Sequence, residues 1–598
     1  MKIFTATLLL LFILQPLKAE TNESELDDKI RKLLAEQKLT GIVWSGYSHD
    51  GPIMGAAGMA NIANGIEMSV DTKVNVGSVT KTVLALGVLR LISEGRLALD
   101  ANVEKLLPAL NWQNSWGGAT PIRVQHLLEH TAGLDNIRMW QFLNTKVTPD
   151  TPLSDAFTSS HDELLQVRTK PGNQYSYSNM GYTLLGMIIE TVTKQPYEDY
   201  LKQSLLGPLG MNNSSFHFIT QAEDPRLAMG YLEQGVPQPS VPIYLRPAGQ
   251  FTTTAPDMLR LLEFMLGNGT INQRHFISPE LMAMLGKPSS TKAFKEGLDI
   301  GHGLALASRD RHGVLSYCHP GTTFGFRAYL CLYPEEDKAF FYAINTDNEK
   351  ADYERFNQLF IEQLEVKPVK QVKTTSVPKD LSDYTGLYVL SPNNMAQFAW
   401  LDWMFNSIWL SEQNGYLVIR SLQQPERRLE AINTTLFRDT NRQLASHIFI
   451  TNEEGIKLSN GLKTYQKASP FLLLINWVGL ILGLLGLVYI LLRGTWLVLH
   501  RKRTIPTALL LPYLNIVLFA VPAYLYFHQH FLEFGNKTAA SISLATFTGM
   551  IPIVLLISIV LMIKNKPANK FDYLGLGALL QLCLVLVYWD VLPMIFWS

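Results

Sequence analysis

The chain has 598 residues, with 51 Lys+Arg against 51 Asp+Glu and hence a formal net charge of zero. That balance gives neither the basic excess of a nucleic-acid binder nor an acidic solvated tail. Three cysteines are too few for a disulfide scaffold, and the scarcity of charge beyond residue 470 excludes a wholly soluble protein.

Lys2, an apolar stretch from Ile3 to Leu14, then Pro16 and Ala19 before Glu20 follow the order of a secretory signal. Residues 1–19 are therefore expected to be a signal peptide, since the stretch is shorter than the roughly 20 residues that cross a bilayer. Residues 20–366 read as one folded unit. Leu26–Gln37 has helical periodicity, and the Gly-punctuated, alternating segments Gly41–Ser48 and Pro52–Gly58 read as strands. Val79–Ile92 is apolar apart from Lys81, Thr82 and Arg90, which predicts a helix buried on most sides. Further helices are expected over Ile122–Glu129, Tyr182–Thr193 and Pro256–Leu266, and strands at Val314–His319, Phe326–Tyr333 and Ala339–Asn345. Strands at both ends with helices between predict an α+β unit: one antiparallel sheet flanked by helices, with an all-helical insertion.

Residues 367–380 lack periodicity and carry Pro368, Ser376, Pro378 and several lysines, so they read as a linker. From 381 to 469, short alternating runs (Tyr384–Val389, Tyr416–Arg420, His447–Thr451, Gly455–Leu458) predict a small all-β domain, either barrel or sandwich. Residues 470–598 contain four uncharged runs, Pro470–Leu492, Ile505–Phe527, Ala539–Ile563 and Tyr573–Trp589, each near the length of a membrane span. Arg493, His500, Arg501, Lys502 and Arg503 separate the first two, and Lys564, Lys566 and Lys570 the last two. Because basic loops stay in the cytoplasm, the expected topology puts everything before Ser469 outside, in the periplasm or extracellular space. Asn515 and Gln581 are the polar residues within these spans and Asp590 lies at the outer end of the last, and interhelical hydrogen bonding accounts for them. The bundle reads as a lipid-bilayer anchor.

Three S-x-x-K tetrads occur: Ser78–Lys81, Ser289–Lys292 and Ser376–Lys379. The third contains Pro378, and the second follows Lys287-Pro288 in a polar stretch. Only Ser78 opens a long buried helix, after Gly77. There, residues i and i+3 share a face, so the Lys81 amine can reach the Ser78 hydroxyl. The helix start favours a developing negative charge, and burial favours the neutral amine that a serine nucleophile needs as a base.

Two further motifs follow, Tyr177-Ser178-Asn179 and His319-Pro320-Gly321, at 99 and then 142 residues. S-x-x-K, Y-x-N and H-x-G in this order resemble the serine β-lactamase/DD-peptidase superfamily, in the branch of class C β-lactamases, DD-carboxypeptidases and D-amino-acid peptidases. The phrases Val74–Ser78, Val124–Leu134, Pro208–Met211 and Pro247–Gln250 fit the same family, and the resemblance covers residues 26–365. Asp383–Gly386 is similar to the lipocalin-like tail of some members.

The resemblance implies an acylated nucleophile at Ser78, its basic partner at Lys81 and a proton-shuttling phenol at Tyr177. It places Asn179 on Lys81 and the substrate amide, and His319 where many relatives have lysine. Gly321 would let the substrate backbone lie along its strand, and the backbone N–H groups of Ser78 and Thr322 would form an oxyanion hole. It implies as substrate a small peptide with a D-residue at the cleaved bond, a β-lactam or an ester. The sequence has no H-E-x-x-H motif and no phosphate-cradling Gly loop, so no metal and no cofactor are expected. The neutral imidazole of an H-x-G motif favours peptidase or esterase branches over an efficient β-lactamase. A penicillin-binding protein with little turnover and a catalytically dead membrane scaffold or sensor are the rival readings.

His130 reads as a local structural residue beneath the site, because no metal partner is spaced to match it. Asp135, Asn136 and Trp140 fit either the pocket wall or a surface loop. Cys318 and Cys331 lie on consecutive expected strands, where a disulfide and two separate buried thiols are both open. The oligomeric state has no signal in the sequence.

Overall fold

The strand Gly41–Ser48 alternates its side chains between two cores. Val43 points into one, while Ile42 and Trp44 point into the other. In the computed structural model, which describes residues 19–158, 164–375, 380–500, 507–564 and 569–597, this strand lies inside a seven-stranded sheet. The strand order is Ala307–Arg311, Val314–Thr323, Phe326–Tyr333, Lys338–Ile344, Gly41–Ser48, Gly51–Asn61, Ile66–Glu67. Neighbours pair antiparallel, and Gly41–Ser48 meets Lys338–Ile344 in the register Ile42↔Ile344 to Tyr47↔Ala339, so the two ends of the unit close on each other. The expected signal peptide up to Lys18, the Ser376–Lys379 tetrad and the basic residues Arg501, Lys502, Arg503 and Lys566 fall outside the described residues.

One face of the sheet is covered by the helices Ala19–Gln37 and Glu354–Gln363, through Leu26, Ile30, Leu33, Phe356 and Phe360. The second of these helices is not anticipated by the sequence reading. Against the other face packs the larger core around the helix Thr80–Ser93, in which every residue from Thr80 to Leu89 is buried. Ser78 itself sits in a 3-10 turn, Gly77–Val79, that leads into this helix. The helix Asn179–Thr193 starts three residues earlier than its apolar pattern suggests, because the Ser178 hydroxyl caps it by accepting the Gly181 N–H at 2.9 Å.

Cys318 and Cys331 lie directly opposite on adjacent strands and form a disulfide. This settles the alternative left open by the sequence and ties together the two strands nearest His319.

After the linker, eight strands close into a barrel, with Gly386–Leu390 pairing with Thr464–Ala468. Its interior is filled by Tyr388, Leu410, Leu417, Leu429, Phe437 and Phe449. Of the barrel or sandwich expected, the barrel forms. Four of its strands (Ile408–Gln413, Arg427–Ala431, Leu436–Asp439, Thr464–Ala468) and a helix, Ala399–Phe405, escape the alternation pattern. The barrel leans on the sheet unit, where the Asp310 carboxylate accepts the N–H groups of Gln443 and Leu444 at 2.7 and 2.6 Å.

Among the described residues, four helices are long and apolar enough to cross a membrane: Pro470–Leu499, Ala508–His528, Ala539–Lys564 and Lys570–Tyr588. Their exposed leucine, isoleucine and valine side chains indicate membrane association. Gln581 donates to Gly479 O on the first helix at 2.6 Å, the interhelical bond expected of it, whereas Asn515 Oδ1 is buried without a hydrogen-bond partner. The connection between the second and third helices packs on the sheet unit. There Gly535 N–H donates to Leu143 O at 2.8 Å, and Asn536 donates to Thr145 Oγ1 at 2.6 Å.

Candidate active site

Gly77 carries a positive φ of +50°, and a Cβ there would come within 2.5 Å of Thr322 O. Only glycine allows both the conformation and the approach, so the turn bearing Ser78 presses against the strand bearing His319 and Thr322. Gly321 serves the same contact, since a Cβ on it would meet Val76 O at 2.0 Å. Its missing side chain makes room for the protein's own backbone at Val76.

Lys81 is fully buried and its Nζ has three neighbours: Asn179 Oδ1 at 2.7 Å, Ala248 O at 2.7 Å and Ser78 Oγ at 3.0 Å. Burial holds its pKa well below the ordinary 10.5, which favours the neutral amine. A neutral amine has two N–H donors and one lone pair. Asn179 Oδ1 and Ala248 O are acceptors and take both donors, which leaves the lone pair facing the Ser78 hydroxyl. Asn179 keeps its oxygen towards Lys81 because its amide Nδ2 donates to Asn136 Oδ1 at 2.7 Å. The Tyr177 hydroxyl donates to Ser78 Oγ at 3.0 Å, and burial pushes its pKa up to about 12, so the phenol is protonated. Ser78 can therefore give its proton to the amine while its Oγ accepts a hydrogen bond from the phenol, which keeps its own proton. Loss of the hydroxyl proton to an adjacent base is what a serine nucleophile requires.

The cavity beside Ser78 has a volume of about 330 Å³, and its walls include Tyr175, His302, His319, Thr322 and Leu462. Leu462 belongs to the connection between the last two barrel strands, so the barrel contributes directly to the pocket wall. His319 is buried, with Nδ1 at 2.7 Å from Pro320 O. Burial, then Lys81 and His302, push its pKa well down, so the ring is neutral.

Ser78, Lys81, Tyr177 and Asn179 thus meet in one hydrogen-bonded cluster, with His319 and Thr322 on the neighbouring wall. Asn136 is a positioning residue rather than part of a surface loop. Asp135 is buried against Arg138 and Arg168, both at 3.3 Å, and Trp140 packs on Tyr244. His302 and the Ala248 carbonyl are site components that the sequence reading misses. His130 does bond locally, accepting the Ser178 N–H on Nδ1 at 3.1 Å. The expectation that it lacks metal-competent neighbours is corrected, because His130, His302 and His319 bring one potential ligand atom each to within 4.8 Å of one another.

The Ser289–Lys292 tetrad has no such geometry. Ser289 precedes the helix Lys292–Lys295 and donates its hydroxyl to the buried Glu129 at 2.5 Å.

The β-lactamase family model matches residues 26–363, more than half of the chain. Protein flp of Staphylococcus aureus (strain N315) is 26% identical over 384 residues, covering 61% of this chain and 70% of that protein. Penicillin-binding protein 4* of Bacillus subtilis (strain 168) is 25% identical over 370 residues, covering 57% of this chain and 77% of that protein. The crystal structure of SurE shares the fold, with a TM-score of 0.50 at 19% identity, covering 75% of this chain and 99% of that one. The chain belongs to the β-lactamase family, within the superfamily that the serine β-lactamases share with penicillin-binding proteins.

Proposed function

We propose that the protein is a membrane-anchored serine hydrolase, facing out of the cytoplasm, that cleaves amide or ester bonds through an acyl-enzyme on Ser78. The observation that carries this reading is the buried Lys81 amine 3.0 Å from Ser78 Oγ, with its Nζ also held at 2.7 Å by the acceptors Asn179 Oδ1 and Ala248 O. In the proposed reaction Lys81 accepts the Ser78 proton as Oγ attacks the carbonyl carbon. The backbone N–H groups of Ser78 and Thr322 stabilise the oxyanion, each such donor being worth about 10²–10³ in rate. Tyr177 passes its proton to the leaving amine or alcohol and is reprotonated from Lys81. Water then enters, activated by the same pair, and hydrolyses the ester on Ser78.

The proposed substrates are small peptides with a D-residue at the cleaved bond. The resemblance to D-peptidases supports that class, and the name of the Bacillus relative, a penicillin-binding protein, supports a site that takes a penicillin. The neutral His319 favours peptides or esters over β-lactams, because it lacks a permanent charge for a carboxylate. The outward orientation is supported by the basic residues Lys564 and Lys570 at the helix ends and Arg493 in the last third of the first helix, all away from the connection that touches the sheet unit.

Mass spectrometry of the full-length protein in detergent, incubated with D-peptides, a penicillin and an activated ester, tests the reading. The expected result is an adduct on Ser78 that forms and decays with release of product from a D-peptide. Stable penicillin labelling without release of any product would instead identify a penicillin-binding protein with little turnover. Absence of any adduct on Ser78 would leave a membrane scaffold.

A further inference from the structure

Three histidines from separate parts of the chain converge beside Ser78. His130 follows the helix Val124–Leu128, His302 precedes the edge strand of the sheet, and His319 lies on the strand Val314–Thr323. All three side chains are buried, at 1%, 3% and 3% exposure, and the His130 ring centroid lies 4.8 Å from that of His302. His302 Nδ1 lies 2.7 Å from Gly303 O and His319 Nδ1 lies 2.7 Å from Pro320 O. A carbonyl can only accept, so both Nδ1 atoms carry the proton and both Nε2 atoms keep a lone pair. His130 has the opposite tautomer. Its Nδ1 accepts the Ser178 N–H, so its proton sits on Nε2. Neither His130 Nε2 nor His302 Nε2 has a hydrogen-bond partner.

Buried polar atoms without partners are uncommon and call for a ligand. An imidazole whose Nδ1–H is tied to a backbone carbonyl, with a free Nε2, is the arrangement that metal-binding histidines adopt. We propose that His302 and His319 form a binding site for a divalent transition metal, zinc by preference, on the wall of the Ser78 pocket. The Nε2–H of His130 donates to a water or hydroxide on that metal. Tetrahedral zinc with bonds of roughly 2.0–2.1 Å sets its nitrogens about 3.3 Å apart. One ring nitrogen of each of the three histidines lies within 4.8 Å of the others, and the His302 and His319 ring centroids are 6.2 Å apart, so the two rings have to draw together for both Nε2 atoms to reach the metal. The remaining coordination positions open into the 330 Å³ cavity, where water or a substrate atom fills them. A metal held there occupies the volume beside the nucleophile and competes with substrate.

The test is titration of the full-length protein in detergent with Co²⁺ and then Zn²⁺. The expected result is one Co²⁺ per chain, visible ligand-field bands of a four-coordinate site, and displacement by Zn²⁺. His302→Ala and His319→Ala should each weaken binding at least 100-fold. His130→Gln should weaken it about 10–100-fold, the usual cost of losing a partner of the bound ligand. Thermal unfolding without metal checks that each variant folds. His302→Gln, which fills the same space, replaces His302→Ala if the latter does not fold. Wild-type protein without a saturable one-to-one signal overturns the proposal. So does a signal that persists in both His302 and His319 variants, which would assign it to exposed histidines such as His500 or His528. Cobalt spectra are read without substrate, so this outcome is separate from that of the hydrolase test.

Discussion

Two S-x-x-K tetrads within one folded unit have entirely different surroundings. Ser78 and Lys81 share one turn at the start of a buried helix, and the amine faces the hydroxyl at 3.0 Å. Ser289 lies ahead of a short helix that begins at Lys292. Its hydroxyl donates to Glu129 Oε1 and accepts from Gln125 Nε2 at 2.6 Å, so it has no lysine to serve. Spacing supplies the opportunity for chemistry. The second layer decides whether the opportunity is used: Asn179 Oδ1 and Ala248 O orient Lys81, while Glu129 captures Ser289.

Removing each part of the first tetrad should break this contrast by decreasing amounts. Ser78→Ala should abolish the acyl-enzyme and lower turnover on the order of 10⁶-fold, as loss of a nucleophile does; intact-mass spectrometry and product release read it. Lys81→Met should cost towards the upper end of about 10²–10⁴, the usual range for a general base. Tyr177→Phe should fall at the lower end of that range, with unchanged thermal unfolding, since only a hydroxyl bonded to Ser78 is lost.

The pH profile sharpens the same point. Burial lowers the Lys81 pKa, so the amine is a base only above that lowered value. Activity should therefore rise through an acid limb well below the ordinary 10.5. Tyr177 releases its proton only at about 12, so no alkaline limb from the phenol is expected below that pH. An acid limb near 10.5 would show Lys81 charged at neutral pH and would remove it as the base.

Much of this site was legible in the sequence because its signals are local. Ser78 and Lys81 are one helical turn apart, and Tyr177 and Asn179 open an apolar helix. The four long apolar helices were equally plain, because length and missing charge are enough to mark them. His302 was not legible. It stands as a lone histidine between glycines, and its neighbours come from distant segments that only the closed sheet brings together. The Ala248 carbonyl was hidden for another reason, since a backbone acceptor has no residue-type signature. Leu462 gave no hint either, because a leucine in a barrel connection becomes a pocket wall only through how the barrel leans on the sheet. Arg427–Ala431 escaped as a strand because charged residues mask its alternation, and barrel closure supplies the pairing that the pattern lacks.

The smallest expected effect lies at the second tetrad. Glu129 is fully buried, and burial raises its pKa above the ordinary 4.5, while hydrogen bonds from Ser289, Ser290 and Gln125 lower it again. A carboxyl whose folded pKa is raised favours folding at low pH and loses that contribution as pH rises through the folded value. Ser289→Ala removes one donor to the charged form, so the folded pKa of Glu129 rises further. The variant should lose about 1–3 kcal/mol at neutral pH, the cost of leaving a buried acceptor short of a partner. Well below pH 4.5 the loss should shrink, because the carboxyl is then protonated in both states. Acylation of Ser78 should stay at the wild-type rate throughout. Denaturant unfolding at two pH values, alongside penicillin or ester labelling, reads both quantities. A variant that unfolds normally but acylates slowly would assign chemistry to the second tetrad and erase the distinction between the two.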